Sequence, residues 1–287
     1  MKNEELITML NRDLADEHAA IIRYLIHAYQ EGEDTPTGAS LLSRSREEMW
    51  HMHWLGMIIC RLGGEPDLKP GPYPFDSTSR ATMLKSYVAY EEKLIPHYNA
   101  EADKVSDPHI KRVLQREAWE SAIHARRFQR MLDKLSPKAA KSAPGGDSPE
   151  LPAAFMEKLQ KELAAKYREM WQHIRMSWVF QKKDIKGWGL MDQAMEKMKQ
   201  LALFAEAVAE DGALPRLKLG KIDRSLAIGL ALQRALEDVD KGRARHEKLR
   251  ADKELQKHAG LVMKMDLTVQ QEAYQADEMK DWLKKIK

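Results

Sequence analysis

Apolar residues recur every three or four positions along almost the whole chain, and no stretch alternates apolar and polar residues for long. That period belongs to the amphipathic helix, so the pattern predicts an all-α protein. It breaks at Gly32, at Gly63-Gly64 and at Pro108, with a Pro- and Gly-rich link from Pro66 to Pro74. Glycine closes helices and proline opens or stops them, which places helices over about 3–31, 37–63, 77–105 and 108–135. The stretch from Pro137 to Pro149 has the small, polar composition of a linker. Four more helices are expected at about 151–182, 187–211, 223–250 and 253–286.

The second four helices repeat the first. Leu10 to Ala15 line up with Leu159 to Ala164, an offset of 149 that also carries Leu41, Glu47, Met49, Gly63 and Pro66 onto Leu190, Glu196, Met198, Gly212 and Pro215. In the third helix an offset of 146 pairs Ala89 and Glu91 with Ala235 and Glu237. In the fourth an offset of 155 pairs Glu117-Ala118-Trp119 with Glu272-Ala273-Tyr274. The domain reading is a bundle over 1–136, a linker over 137–150 and a second bundle over 151–287.

Composition narrows the partners. The net charge is +3 across 287 residues without a single-sign block, so nothing marks the chain for nucleic acid or an anionic membrane. No run of eighteen apolar residues occurs, and Met1-Lys2-Asn3-Glu4-Glu5 does not read as a leader. The single cysteine, Cys60, rules out an internal disulfide and a Cys-x-x-Cys knuckle. Cys60 is read as a small core residue, and the expected setting is a reducing cytoplasm.

The chemistry concentrates in the first four helices. Glu48 and His51, three apart, share one helix face and can serve one metal ion, or let the carboxylate bridge two. The first helix adds Glu17 among Leu14, Ile21 and Tyr24; the third adds Glu91 and Glu92; the fourth adds Glu117, Glu120 and His124 within one stripe. Each helix thus carries an acid among apolar neighbours, where an unpaired carboxylate is costly to bury and a metal ion removes the cost. His18, His27, His53 and His97 lie off these registers and read as surface or packing residues, whereas Tyr24 and Trp50 read as ordinary packing residues rather than redox-active ones.

Asn11 to Ala20, Arg46 to His51 and Leu62 to Asp67 together resemble the ferritin-like superfamily, in its bacterioferritin and rubrerythrin-type branch. The resemblance implies two tandem ferritin-like four-helix bundles, the second a degenerate copy, with Glu17, Glu48, His51, Glu91 or Glu92, and His124 as metal ligands. It also implies two iron ions, with manganese or a mixed pair as the alternative, and oxygen or peroxide as the reactant of a ferroxidase- or peroxidase-type centre. In that family a fourth-helix Glu precedes the His by three; here that position is Ser121, leaving Glu117 or Glu120 to reach inward. Met49 adjoins Glu48 where a bacterioferritin places a haem ligand, but its copy Met198 persists without metal ligands, so haem is not expected.

Through the repeat, Glu17 becomes Lys166, Glu48 becomes Lys197, His51 becomes Gln200 and His124 becomes Met279, with Glu91 alone retained as Glu237. An ammonium has no lone pair for a metal, so the second bundle is expected to be metal-free. The other reading of the whole is a non-catalytic metal-binding or interaction scaffold. A homodimer is the candidate assembly.

Overall fold

The computed structural model describes residues 1–72, 76–145, 150–181 and 187–286. Its helices are α1 (Asn3–Glu31), α2 (Pro36–Arg61), α3 (Arg80–Ala102), α4 (Pro108–Asp133), α5 (Pro137–Lys141), α6 (Ala153–Val179), α7 (Gly187–Glu210), α8 (Ile228–Arg250) and α9 (Ala259–Lys285). No strand occurs among the described residues. No helix among them is long and apolar enough to cross a membrane.

The helix starts follow from local chemistry. Thr35 accepts from the Gly38 amide at 3.0 Å ahead of Pro36, and Asp107 accepts from the His109 and Ile110 amides ahead of Pro108. Each cap satisfies amide groups that a helix start leaves unpaired. Gly38 is set by close approach: a Cβ there would lie 1.9 Å from the Gly32 carbonyl oxygen and 3.0 Å from that of Ala28. α1 is therefore able to turn tightly into α2.

The chain divides into two compact units, Met1–Gly146 and Asp147–Lys287. Part of the stretch read as linker is helical: α5 belongs to the first unit, where the Ser142 carbonyl accepts from the Arg80 amide at 2.9 Å. In the first unit, Tyr24 reaches Glu91 while Tyr98 reaches Glu17, a crossed pattern that sets α1 and α3 antiparallel. Glu47 with His124 and His51 with Glu120 do the same for α2 and α4. Below these contacts, Ala20, Tyr24, Leu41, Leu84, Tyr87 and Phe128 form a closed apolar cluster that fixes the helix register.

Both units fasten the long connection after their second helix with an amide on the first. The Asn11 side chain donates to the Glu65 carbonyl at 3.2 Å and accepts from the Asp67 amide at 2.7 Å. Gln160, its counterpart at the 149 offset, donates to the Leu214 carbonyl at 2.8 Å and accepts from the Arg216 amide at 2.9 Å.

Two residues sit differently from their sequence reading, whereas His18 and His27 are packing residues as that reading allowed. Trp50 is 55% exposed and packs into no core, and Cys60 is half-buried. His18 and His27 are fully buried, and His18 Nδ1 binds the Leu68 carbonyl at 2.7 Å, fastening the same connection to α1. Burial lowers the pKa of both to about 3.

Candidate metal centre

Glu48 lies at the middle of the first unit, 3% exposed, with one carboxylate oxygen on each of two imidazoles. Its Oε2 is 2.9 Å from His51 Nδ1 and its Oε1 is 2.8 Å from His124 Nδ1. His51 Nδ1 also meets Glu17 at 3.2 Å, and His124 Nδ1 meets Glu91 at 3.3 Å. The two rings are near-parallel at 16°, their centroids 6.5 Å apart. Two buried triads result, Glu17–Glu48–His51 and Glu48–Glu91–His124, each with ligand atoms within 4.8 Å of one another.

The outer contacts repeat on both sides. His51 Nε2 binds Glu120 at 2.6 Å, and Arg116 holds Glu120 at 2.7 Å. His124 Nε2 binds Glu47 at 2.6 Å, and Arg44 holds Glu47 at 2.8 Å. With Nε2–H donating to a carboxylate, each ring presents Nδ1 inward, the arrangement that orients metal-binding histidines. The Tyr98 and Tyr24 hydroxyls donate to Glu17 and Glu91 respectively.

Of the sequence candidates, Glu17, Glu48, His51, Glu91 and His124 come together in the triads. Glu92 does not: one residue past Glu91 it has turned about 100° around the helix, and it is exposed. Glu120 stands behind His51. Glu117 is fully buried on α4, and neither of its oxygens has a hydrogen-bond partner among the described residues. Ser121, three residues before His124, is buried.

Glu47, Arg44, Arg116 and Tyr98 escaped the sequence reading. One signal did exist: Glu17 and Tyr24 are seven apart, and so are Glu91 and Tyr98. On two antiparallel helices, that spacing places each hydroxyl beside the other helix's acid.

The local field is strong. Burial drives the Glu17 pKa up to about 8, with Glu48 adding to the rise. Burial alone would raise Glu48 too, but His124 and His51 outweigh it and hold Glu48 well below the usual range. Burial opposes charge on His51 and His124, yet Glu17 and Glu48 raise the first and Glu48 and Glu47 the second, both well above the ordinary imidazole value. Burial keeps Glu117 protonated well above the usual range. Three carboxylates and two imidazoles in an apolar shell fit divalent cations, which would take over the neutralising role that protons otherwise fill.

Residues 7–137 match the family model of the ferritin-like domain. The first unit thus carries a ferritin-like helical bundle with buried carboxylate and histidine groups able to bind metal. No curated protein and no solved structure gives a match to the chain.

The corresponding place in the second unit is filled by ion pairs. Lys166 binds Glu272, and it lies 3.3 Å from Glu169, which also meets Lys197 at 3.2 Å. His246 bridges Glu272 at 2.8 Å and Glu162 at 3.0 Å. Gly242 makes room for the pair, because a Cβ there would sit 2.8 Å from Glu272 Oε1. Burial corrects one pairing of the sequence reading. The buried positions of α8, including Ala231, Leu232, Ala235, Val239 and His246, follow Met83, Leu84, Tyr87, Glu91 and Tyr98 at an offset of 148. Glu91 therefore corresponds to Val239, while Glu237 is 54% exposed beside Lys241. None of the five triad residues is matched by a metal ligand in the second unit.

Proposed function

We propose that the first unit is a di-metal carboxylate centre of the bacterioferritin and rubrerythrin type that oxidises ferrous iron with oxygen or peroxide. The observation that carries this reading is Glu48, one buried carboxylate shared between two His-and-carboxylate triads. Glu17, Glu48 and His51 would hold one iron, and Glu48, Glu91 and His124 the other; manganese suits the same donors. Iron held there would supply one-electron redox chemistry, the overall balance being one peroxide, two ferrous ions and two protons to two ferric ions and two waters.

The chain's own part is positional and protonic. Glu120 and Glu47 fix the two imidazole orientations from behind. Tyr98 and Tyr24 hold Glu17 and Glu91 by their hydroxyls. Glu117 stores a proton in the bundle interior. Ser121 leaves the centre one carboxylate short of the resembled family, so the reactant side stays less crowded. The second unit, in this reading, is a duplicated bundle whose centre was replaced by Lys166 and Lys197 and which acts as a scaffold. A cytoplasmic setting fits the single cysteine.

The test is anaerobic loading of the full chain with two ferrous ions, followed by oxygen or peroxide. Ferric absorbance should develop faster than for the same iron in buffer, and Glu48→Ala should return it to the buffer rate. Equal rates for the native chain and buffer would leave the scaffold reading in its place.

A further inference from the structure

A second group of possible ligands stands apart from Glu48. Asp13 on α1 and His97 and Glu101 on α3 bring one ligand atom each to within 4.8 Å of one another. His97 Nε2 is 3.1 Å from Asp13 Oδ1 and 3.6 Å from Glu101 Oε2. The Asp13 side chain is 0% exposed and that of Glu101 4%, so two acids face each other out of water. Asp13 Oδ2 and Glu101 Oε2 have no hydrogen-bond partner among the described residues. Arg12 binds only the other Glu101 oxygen, from a side chain that is 66% exposed. Two buried carboxylates thus turn toward one imidazole, and the guanidinium at their edge reaches a single oxygen of Glu101 and neither oxygen of Asp13.

The second unit shows what the same place looks like when a cation is built in. At the 149 and 148 offsets, Asp13, His97 and Glu101 become Glu162, Arg245 and Leu249. Arg245 lies forked on Glu162, with Nε to Oε1 at 2.9 Å and Nη2 to Oε2 at 3.1 Å. There the guanidinium neutralises the helix-one acid, and the second carboxylate is replaced by leucine. In the first unit His97 stands in the place of Arg245, the second carboxylate is present, and the Arg12 guanidinium reaches Glu101 but not Asp13.

We propose that Asp13, His97 and Glu101 bind a single first-row divalent cation, separate from the pair of ions held at Glu48. One imidazole nitrogen and two carboxylate oxygens suit a zinc- or iron-class ion with open positions. The His97 side chain is 35% exposed, so an ion held there would be within reach of water. The site adjoins the centre without sharing a ligand: Asp13 lies one turn from Glu17, and Tyr98 stands between His97 and Glu101 in sequence.

Equilibrium dialysis of the full chain against cobalt(II) without oxygen tests this. The native chain should bind three ions, His97→Gln and Glu101→Gln two each, and Glu48→Ala one. Unchanged helical content and melting temperature would show that the near-isosteric variants fold. Equal stoichiometry in the native chain, His97→Gln and Glu101→Gln, at any value, overturns the proposal; two facing acids sharing a proton would then account for the cluster. One ion in the native chain, lost in His97→Gln but kept in Glu48→Ala, supports this site and sinks the Glu48 centre instead.

Discussion

The two units treat the same burden in opposite ways. Each buries several ionisable side chains at the middle of four long helices, where an uncompensated charge is expensive. The first unit surrounds Glu48 with acids and imidazoles and, among the described residues, has no lysine in that core. The second brings Lys166 and Lys197 against Glu169 and Glu272, with His246 on Glu272 and Glu162. One centre is open to an added cation, whereas the other carries its cations in the chain. A four-helix core can therefore hold acids and imidazoles able to bind metal, or close on its own ion pairs, depending on a few inward positions.

The sharpest way to break this comparison is to remove the shared carboxylate. Glu48→Ala takes a ligand from both triads at once, so metal at the Glu48 centre should fall from two ions per chain to none. Lys197→Ala, at the matching position of the second unit, should leave the metal content unchanged. Elemental analysis of protein purified without chelator reads both. Two ions persisting in Glu48→Ala would place the metal elsewhere.

Next in size is the second unit's own core. Lys166→Met removes the cation that binds Glu272 and faces Glu169, leaving buried carboxylates short of a partner. Breaking a buried pair in this way costs about 3–5 kcal/mol. Exchanging both partners, Lys166→Met with Glu272→Leu, should recover most of that loss, because an apolar pair leaves no stranded charge. Urea unfolding with hydrogen exchange resolved on α6 and α9 measures it. A double variant no more stable than the single one would refute the account of the core as mutual neutralisation.

How far the sequence carried the argument differs between levels. Helical periodicity and the Gly and Pro breaks were enough for the helix order, because those signals are local. Glu17, Glu48, His51, Glu91 and His124 were legible as inward acids and histidines at helical spacing. The choice of Glu91 over Glu92 needed the helix rotation, which shows only when α3 packs. Glu237 was mispaired because the 146 offset matched residue type, whereas burial along α8 follows 148. Glu47 was passed over since it lies beside Glu48 on the helix surface, and its reach to His124 depends on α4. His97 was set aside as off-register from the triads, and only the fold brings Asp13 and Glu101 to it.

The outer carboxylates give a smaller effect and test the symmetry of the first unit. Glu47→Gln and Glu120→Gln keep size and shape but weaken the hold on His124 and His51. Loss of such a partner costs about 10–100-fold in metal affinity. The two variants should fall by similar factors, because each acid meets its imidazole at 2.6 Å and each is held by an arginine. Glu196→Gln, at the position of Glu47 in the second unit, should leave metal affinity unaltered. Competition with a coloured chelator reads the affinities; a loss confined to one variant would show that the two metal positions are unequal.

The smallest expected effect separates the two buried lysines. Burial and the neighbouring Lys166 push Lys197 down to about 8, although Glu169 and Glu272 oppose the shift. Burial also works against Lys166, but there Glu169 and Glu272 prevail and raise it above the ordinary lysine value. Lys197 thus titrates below its unfolded value of 10.5: its cost to folding is full below about pH 8 and fades as pH rises toward 10.5. Glu272 and Glu162 behave oppositely. Burial would raise both, but His246 and the nearby cations hold them below the usual carboxylate value. Their contribution is present above pH 4.5 and is lost in acid. Lys197→Met should therefore cost clearly less stability at pH 7 than Lys166→Met, since it removes a charge already disfavoured and leaves Glu169 beside Lys166. It should also flatten any rise in the stability of the second unit between pH 8 and 10. Denaturant titrations across that range decide the matter. A loss at pH 7 as large as that of Lys166→Met would mean that both lysines are needed to neutralise Glu169 and Glu272, and that the second unit's core is a balanced pair of pairs.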